Sequence, residues 1–199
     1  ELEGIGIEGD ITYIPNGVDT ARFRPRAEKA SLRNKFGIPE EQTVLLSVGR
    51  LTPQKEPYAM IDTFSNLEAK HGDLTLCIAG KGELLDEVNA YVEKQGLQNI
   101  ILLGYVDDLD LPDLYACSDY YIMTSKYEGL PLTLLEAMAS GLPCIVSDIP
   151  NLRIVEDADC GIIVNFEDNK VASDQILEYI SNEHHNHSQN ARRFAVEQL

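Results

Sequence analysis

Short apolar runs alternate with stretches of helical periodicity along this chain. Strands are predicted at the apolar runs Thr43–Gly49, Leu74–Gly80, Ile100–Gly104, Tyr120–Thr124 and Cys144–Val146, with a shorter candidate at Gly161–Val164. Helices are predicted between them, at roughly Tyr58–Lys70, Glu83–Gln95, Leu111–Cys117, Leu132–Ser140 and Val171–Asn182. This alternation indicates βαβ units and a parallel sheet, and continuously apolar strands are typical of a sheet covered on both faces. The sequence therefore predicts a three-layer α/β/α domain of about six parallel strands, which binds ligands at the carboxyl ends of the strands.

The two ends of the chain differ from this alternating middle. Residues 1–25 contain ITYIPNGVD, a short strand and then a turn rich in Pro, Asn and Gly, which predicts a lead-in arm or interdomain hinge. Residues 26–183 are predicted to form the ligand-binding domain, and residues 184–199 a truncated C-terminal helical segment. Because the first residue is Glu rather than Met, we expect this chain to be a processed or excised part of a longer protein.

The net charge of −17, from 33 acidic and 16 basic side chains, limits the partners. A nucleic-acid backbone is not an expected partner of so acidic a protein, and neither is an anionic lipid surface held by charge alone. A small anionic ligand would meet the same repulsive field, so a phosphate site here needs local cations and backbone amides.

Cysteine usage and hydropathy indicate the compartment. The chain has four cysteines, Cys77, Cys117, Cys144 and Cys160, without a C-x-x-C pair, and most lie in or beside apolar runs. We expect them to be reduced, buried and structural, as in a cytoplasmic protein. We expect neither a transmembrane segment nor a signal peptide, because no apolar stretch is long enough.

The stretch EGLPLTLLEAMASGLP places two carboxylates, Glu128 and Glu136, eight positions apart. A helix is predicted with Pro131 as its first residue and a stop at Gly141-Leu142-Pro143. Its other residues are nearly all apolar, so Glu136 is a lone acid in a helix that should be buried, which is costly unless it meets hydrogen-bond donors. Ligand hydroxyls are one such set of donors, and ordinary solvated carboxylates are the alternative.

The start of the same helix could hold an anion. The N–H groups near Leu132 and Thr133 lack helical acceptors and lie at the positive end of the helix dipole. The segment therefore offers acceptors for hydroxyls and a binding site for a phosphate, which together suit a nucleotide sugar.

Two cations follow the first predicted strand, in the sequence GRLTPQK. Arg50 offers a planar fork for phosphate oxygens, and Lys55 offers a mobile point charge. At the carboxyl end of a strand they would face the expected ligand position. A loop with ordinary surface charges is the alternative that spacing alone leaves open.

Three other motifs favour structural roles. IAGKGE matches neither a dinucleotide fingerprint nor a P-loop, so Gly80 and Gly82 more simply permit a tight strand-to-helix turn. The carboxylates in Asp108-Leu109-Asp110 have metal-motif spacing, but Asp110 precedes a Pro-containing helix start and is better explained as a cap. The histidines of SNEHHNHSQN, His184, His185 and His187, favour a solvated connector over a metal site. No metal is therefore expected.

Taken together, the motifs resemble those of retaining glycosyltransferases of the GT-B architecture, in the large family four, or group 1. The resemblance spans Ile11 to Val164 and includes, in the family's order, IPNGVD, GRL-x3-KG, G-x-V-x4-L-x-x-L-Y and E-x7-E. The chain departs from the family pattern at Glu56, where Gly is usual, and at Pro131, which replaces a frequent Gly and removes a possible N–H donor.

The resemblance implies a Rossmann-like domain, the C-terminal donor-binding half of a GT-B enzyme. It implies that Arg50 and Lys55 hold the diphosphate of a UDP- or GDP-sugar and stabilise charge on the leaving group without an obligatory metal. Glu128 would contact the donor sugar and Glu136 the nucleotide ribose. The remaining expected donor contacts are Gly49, backbone near Val106 for the base, and Gly129 with the amides of Leu130, Leu132 and Thr133 for phosphate or sugar oxygens.

The acceptor is expected to be a glycan, a lipid-linked glycan or a small molecule, bound through an N-terminal half that this chain lacks. We therefore expect the chain to bind donor without transferring sugar, and the whole enzyme to be cytoplasmic or peripheral at the inner membrane face. A nucleotide-sugar 2-epimerase of the same architecture and a non-catalytic nucleotide-binding module are the alternatives. The base, the sugar and the acceptor stay open.

Overall fold

A computed structural model describes residues 15–182 and 186–199 of the chain. Within them, six strands form one parallel sheet in the order β3-β2-β1-β4-β5-β6. The strands are β1 Thr43–Val48, β2 Leu74–Ala79, β3 Ile100–Gly104, β4 Tyr120–Met123, β5 Cys144–Ser147 and β6 Gly161–Val164. The predicted parallel α/β sheet is confirmed, and each strand lies within one residue of its predicted bounds.

Helices cover both faces of this sheet. They are α1 Lys29–Lys35, α2 Pro57–Glu68, α3 Leu85–Gln95, α4 Leu111–Cys117, α5 Leu132–Ala139, α6 Ile154–Asp157, α7 Asn169–Ser181 and α8 His187–Gln198, with 3-10 turns at Pro53–Lys55 and Pro150–Leu152. The sequence did not predict α1 or α6, because α6 is a single turn and α1 is largely polar. Buried Arg33 instead holds α1 in place by an ion pair to Asp119 at 2.6 Å and a hydrogen bond to the carbonyl of Cys117 at 3.0 Å.

Two details of helix initiation differ from the prediction. Pro131 is the extended residue before α5, with φ −74° and ψ 130°, so the helix begins at Leu132 rather than at Pro131. Asp110 does precede α4, but its side chain does not cap the helix. Its carboxylate accepts a hydrogen bond from Lys35 Nζ at 2.7 Å instead, because α1 packs beside α4.

The core has two parts, one on each face of the sheet. Alternate strand residues enter opposite parts, so Leu46 packs with Leu134 and Leu135 of α5, whereas Leu45 packs with Ile61 and Phe64 of α2. All four cysteines are free and buried, as predicted. Burial raises the pKa of the Cys77 thiol to about 12 and that of Cys117 to about 11. Among the helices of the described ranges, none is long and apolar enough to cross a membrane.

Candidate functional site

The loops after β1 and β4 meet at the carboxyl edge of the sheet, because these two strands are hydrogen-bonded neighbours. This brings together two side chains that the sequence predicted separately. Lys55 Nζ lies 2.6 Å from Glu128 Oε1, and their side chains are only 21% and 10% exposed. A largely buried cation and carboxylate therefore lie side by side where a ligand of this fold is expected.

Gln54 joins the same two loops, and sequence reasoning missed it. Its backbone carbonyl accepts a hydrogen bond from the amide of Lys126 at 2.9 Å, and its side-chain amide donates to the carbonyl of Tyr127 at 2.7 Å. The same amide is 3.4 Å from Glu128 Oε1. Gln54 therefore fixes the distance between the loop that carries Lys55 and the loop that carries Glu128.

Two asparagines hold the Glu128 loop from its other side. Asn16, within the sequence IPNGVD, donates its side-chain amide to the carbonyl of Leu130 at 2.7 Å. Asn151, in the 3-10 turn after β5, donates to the carbonyl of Glu128 at 2.7 Å. Gly129 between them is exposed. The segment read as a hinge thus helps to shape the predicted donor loop, although the strand predicted before it at residues 11–14 lies outside the described residues.

Arg50 is exposed on a loop that the neighbouring Gly-rich turn supports. The amide of Gly49 donates to the carbonyl of Ala79 at 2.9 Å, and the amide of Leu51 donates to the carbonyl of Lys81 at 3.1 Å. The two loops pack so closely that a Cβ on Gly82 would lie 2.1 Å from the carbonyl oxygen of Leu51. The turn therefore does more than join β2 to α3, because it sets the backbone path on either side of Arg50.

Glu56 has left-handed backbone angles, φ 46° and ψ 53°, directly before α2. This explains physically why Gly suits the position, since a Cβ is strained in this region. The carboxylate of Glu56 is held by Lys126 Nζ at 3.0 Å. Glu56 therefore adopts the left-handed conformation itself and adds an ion pair with Lys126 beside the loop.

Replacing Glu56 by Gly should raise the free energy of unfolding by up to about 1 kcal/mol, because relief of backbone strain exceeds the added chain entropy and the lost exposed ion pair. Urea denaturation measures this. Glu56→Ala is the matched control, since it removes the same carboxylate but keeps the strain. A Gly variant no more stable than the Ala variant would contradict the argument.

Glu136 meets a hydrogen-bond donor from the protein itself. The hydroxyl of Tyr115 on α4 donates to Glu136 Oε2 at 2.9 Å. Burial raises the pKa of Glu136, while the Tyr115 hydrogen bond and the charge of Arg22 partly oppose that rise. The sequence expectation of a lone acid that needs donors is therefore correct, but its protein partner was not predicted.

Glu136→Gln should stabilise the fold near neutral pH. The raised pKa of Glu136 means that the unfolded chain ionises more readily, so this carboxyl makes folding less favourable as pH rises through its raised pKa. Gln removes that penalty and keeps an oxygen for Tyr115. We expect a larger free energy of unfolding at about pH 7, and a difference that shrinks towards about pH 4. Exposed Glu93→Gln, assayed by the same urea titrations, should show neither effect.

The start of α5 projects into the same region. Leu132 is 53% exposed, and the amides of Leu132 and Thr133, in the first turn, have no acceptor within the helix. Thr133 is anchored through its side chain, because the hydroxyl of Tyr121 donates to Thr133 Oγ1 at 2.9 Å. The backbone of the predicted anion-binding site, at Leu132 and Thr133, is therefore held in place at Thr133.

Val106 lies two residues beyond β3, on the same carboxyl edge but across β2 and β1 from Glu128. It is partly buried against the core. Its neighbour Tyr105, which sequence reasoning passed over, is 62% exposed, and Lys81 Nζ lies 5.7 Å from the centre of its ring. Val106 is thus placed at the opposite end of the site from Glu128.

No group of three or more His, Cys, Asp or Glu side chains that could bind a metal occurs in the part of the chain that the structure describes. Asp110 of the Asp-x-Asp sequence is bound by Lys35. His187 stacks on Tyr179 and lies 3.5 Å from Asp159, whereas His184 and His185 fall outside the described residues.

These features define a class of protein: an α/β domain whose cations and carboxylates converge at the carboxyl ends of a parallel sheet. The family can be stated as well. Residues 28–195 match the family model described as Glycosyl transferases group 1, so the chain belongs to that family, and the group 1 membership predicted from the motifs is confirmed.

Curated relatives extend the match. UDP-Gal:alpha-D-GlcNAc-diphosphoundecaprenol alpha-1,3-galactosyltransferase of Escherichia coli is 34% identical in an alignment of 164 residues that covers 79% of this chain and 42% of the relative. Mannosylfructose-phosphate synthase of Agrobacterium fabrum is 37% identical over 148 residues, 69% of this chain and 32% of the relative. The chain thus spans less than half the length of these relatives.

Solved structures share the fold. WaaG, a glycosyltransferase involved in lipopolysaccharide biosynthesis, superposes with a TM-score of 0.80 at 23% identity over 92% of this chain and 51% of that one. The C-terminal domain of LpcC from Francisella tularensis gives 0.79 at 24% identity, with 92% and 98% covered. HepE of Anabaena, solved with UDP and glucose, gives 0.80 at 22% identity, with 92% and 51% covered. The GT-B C-terminal fold is therefore confirmed.

Proposed function

We propose that this chain is the donor-binding half of a glycosyltransferase that moves a sugar from a nucleotide-diphosphate donor to an acceptor hydroxyl with retained configuration. The observation that carries the proposal is the contact of 2.6 Å between Lys55 and Glu128 beside exposed Arg50. In a chain of net charge −17, Arg50 and the ammonium group of Lys55 are the local cations that a diphosphate needs at this edge.

The proposed chemistry is electrostatic. The bond between the anomeric carbon and a diphosphate oxygen breaks, a bond forms from that carbon to the acceptor oxygen, and the proton of the acceptor hydroxyl passes to the departing diphosphate. Arg50 and Lys55 stabilise the negative charge that develops on the departing diphosphate. An ammonium group has three protons, so Lys55 can hold Glu128 and a phosphate oxygen at the same time.

The rest of the site is proposed to bind the donor along the sheet edge. Glu128 accepts hydrogen bonds from sugar hydroxyls through a carboxylate that Lys55 and Gln54 orient. Glu136 accepts from the ribose, and backbone near Val106 meets the base. The phosphate and sugar oxygens are bound by backbone at Gly49, Gly129, Leu130, Leu132 and Thr133.

The donor is proposed to be a UDP- or GDP-sugar. HepE was solved in complex with UDP and glucose, and the E. coli relative is named for UDP-Gal. A relative in Mycobacterium tuberculosis, 27% identical, is named as GDP-mannose-dependent. Both bases therefore occur in the names of similar proteins. No comparison favours the 2-epimerase or a non-catalytic module.

We also propose how this chain serves the whole enzyme. Residues 1–25 act as a hinge, residues 26–183 bind the donor, and residues 184–199 close the domain with a helix. A further part of the protein binds a glycan, lipid-linked or small-molecule acceptor at the cytoplasmic side. On this proposal the chain alone binds donor but does not transfer sugar, and steady transfer by the chain alone would contradict it.

The test is calorimetric titration of the folded chain with UDP, GDP and ADP. We expect one nucleotide to bind saturably and Glu136→Ala to weaken that binding about tenfold, the loss expected for one hydrogen bond to a charged group. Exposed Glu93→Ala is the control that should bind as the parent does. Binding that is unaffected by Glu136→Ala would contradict the ribose role, and a folded chain that binds none of the three would contradict the proposed donor site.

A further inference from the structure

Two tyrosine hydroxyls lie beneath the proposed ribose position. Tyr115 on α4 and Tyr121 on β4 are fully buried, and their rings are tilted neighbours with centroids 6.3 Å apart. The hydroxyl of Tyr115 is 2.9 Å from Glu136 Oε2 and 3.1 Å from the carbonyl of Thr133. The hydroxyl of Tyr121 contacts Thr133 Oγ1 instead. Only Tyr115 therefore touches the acid.

The geometry of Glu136 makes its orientation depend on this contact. Glu136 is a single carboxylate on a helix whose neighbouring residues Leu135 and Ala137 are fully buried. A phenol has one proton to donate, and an ionised carboxylate is a stronger acceptor than the carbonyl of Thr133. Tyr115 therefore donates its hydrogen bond mainly to Glu136 Oε2.

We propose that Tyr115 is a positioning residue that holds Glu136 by Oε2 and so directs Oε1 to the ribose hydroxyls of the nucleotide. This inference rests on the proposed function of Glu136. It extends that function by assigning the recognition of a ribose, rather than a deoxyribose, to a pair of side chains from α4 and α5. A purely structural Tyr115 would satisfy the buried acid without affecting which sugar is bound.

The affinities for UDP and dUDP, or for GDP and dGDP, distinguish a positioning role of Tyr115 from a purely structural one. In the parent chain the ribonucleotide should bind more tightly than its 2′-deoxy analogue. Tyr115→Phe should reduce the ratio of ribonucleotide affinity to deoxynucleotide affinity about fivefold. The ribonucleotide binds more weakly because the misdirected carboxylate loses most of one hydrogen bond to the ribose, whereas binding of the deoxy analogue changes little. Tyr121→Phe is the matched control, since it removes an equally buried hydroxyl that does not touch Glu136. Loss of its contact with Thr133 would weaken the binding of both nucleotides alike, so the ratio of their affinities should equal the parent's.

The pH dependence of ribonucleotide binding gives a second readout. The groups that act on Glu136 are Tyr115 from α4, Tyr121 from β4, Arg22 from the N-terminal segment and Asp108 from the loop before α4. The Tyr115 hydrogen bond lowers the pKa of Glu136. Tyr115→Phe should therefore move the acid-side loss of binding to higher pH. Tyr115→3-fluorotyrosine keeps the ring and makes the hydroxyl a stronger donor, so it should move the acid-side loss of binding to lower pH. This variant provides the test if Tyr115→Phe does not fold.

The outcomes separate the inference from the proposed function. If Glu136→Ala removes the ribose preference but Tyr115→Phe leaves both the ratio and the pH dependence unchanged, the inference is wrong and the role of Glu136 stands. If Glu136→Ala keeps the parent ratio, the ribose role of Glu136 is wrong and the inference falls with it. If the folded parent binds no nucleotide, the proposed donor site is wrong as well. A ratio reduced in Tyr115→Phe and unchanged in Tyr121→Phe supports the inference.

Discussion

Replacing Lys55 by Ala should reduce sugar transfer by the complete enzyme about 100- to 1,000-fold, the usual loss when one stabilising group for a developing charge is removed. The variant loses the cation proposed to meet the leaving diphosphate. It also leaves Glu128 without its ion-pair partner at 2.6 Å, so the carboxylate proposed to orient the sugar gains freedom and repels phosphate. Both effects act on the same step.

Transfer rates at saturating donor, measured on the complete enzyme once titration has identified the nucleotide, provide the test. Lys94→Ala is the matched control, because Lys94 is an exposed lysine in the last turn of α3, away from the site. Folding of each variant is checked by urea denaturation. A folded Lys55→Ala enzyme with near-parent turnover would show that Lys55 is not the catalytic cation.

The fold was predictable because its signals are local. Strands such as Thr43–Val48 and Leu74–Ala79 are mostly apolar and do not alternate with charged residues, which predicts a doubly covered parallel sheet without any knowledge of tertiary contacts. The elements that were missed lack such a signal. The polar helix α1 exists because Arg33 reaches Asp119, 86 positions further along the chain.

The site was predictable only in part, because its motifs are local in the sequence but the contacts between them are not. Arg50, Lys55, Glu128 and Glu136 stand in recognisable motifs, but the contact between Lys55 and Glu128 depends on β4 pairing directly with β1, and no spacing reveals that. Tyr115 lies in an apolar run that any core helix could contain. The role proposed for it rests on the hydrogen bond from its hydroxyl to Glu136 of α5, which no sequence pattern reveals.

Gly80→Ala should cost about 2–4 kcal/mol of stability and abolish nucleotide binding, because the added methyl group has no space. A Cβ at this position would lie 1.8 Å from the carbonyl oxygen of Gly49, and Gly80 has a φ of 148°, which strains any L side chain. The amide of Gly80 also donates to the carbonyl of Gly104 at 2.6 Å, so the turn cannot easily move away. The loop carrying Arg50 must shift instead.

Urea denaturation and nucleotide titration separate the two effects of this substitution. Gly72→Ala is the matched control, since a Cβ there meets nothing within 4 Å, and it should change stability by less than about 0.5 kcal/mol. A Gly80→Ala chain that unfolds at the same urea concentration as Gly72→Ala would refute the close contact between the loops. A destabilised but folded variant that binds nucleotide normally would show that this contact supports the fold without setting the position of Arg50. Loss of binding at urea concentrations where the variant is still folded would identify the Gly-rich turn as the support of the phosphate-binding loop.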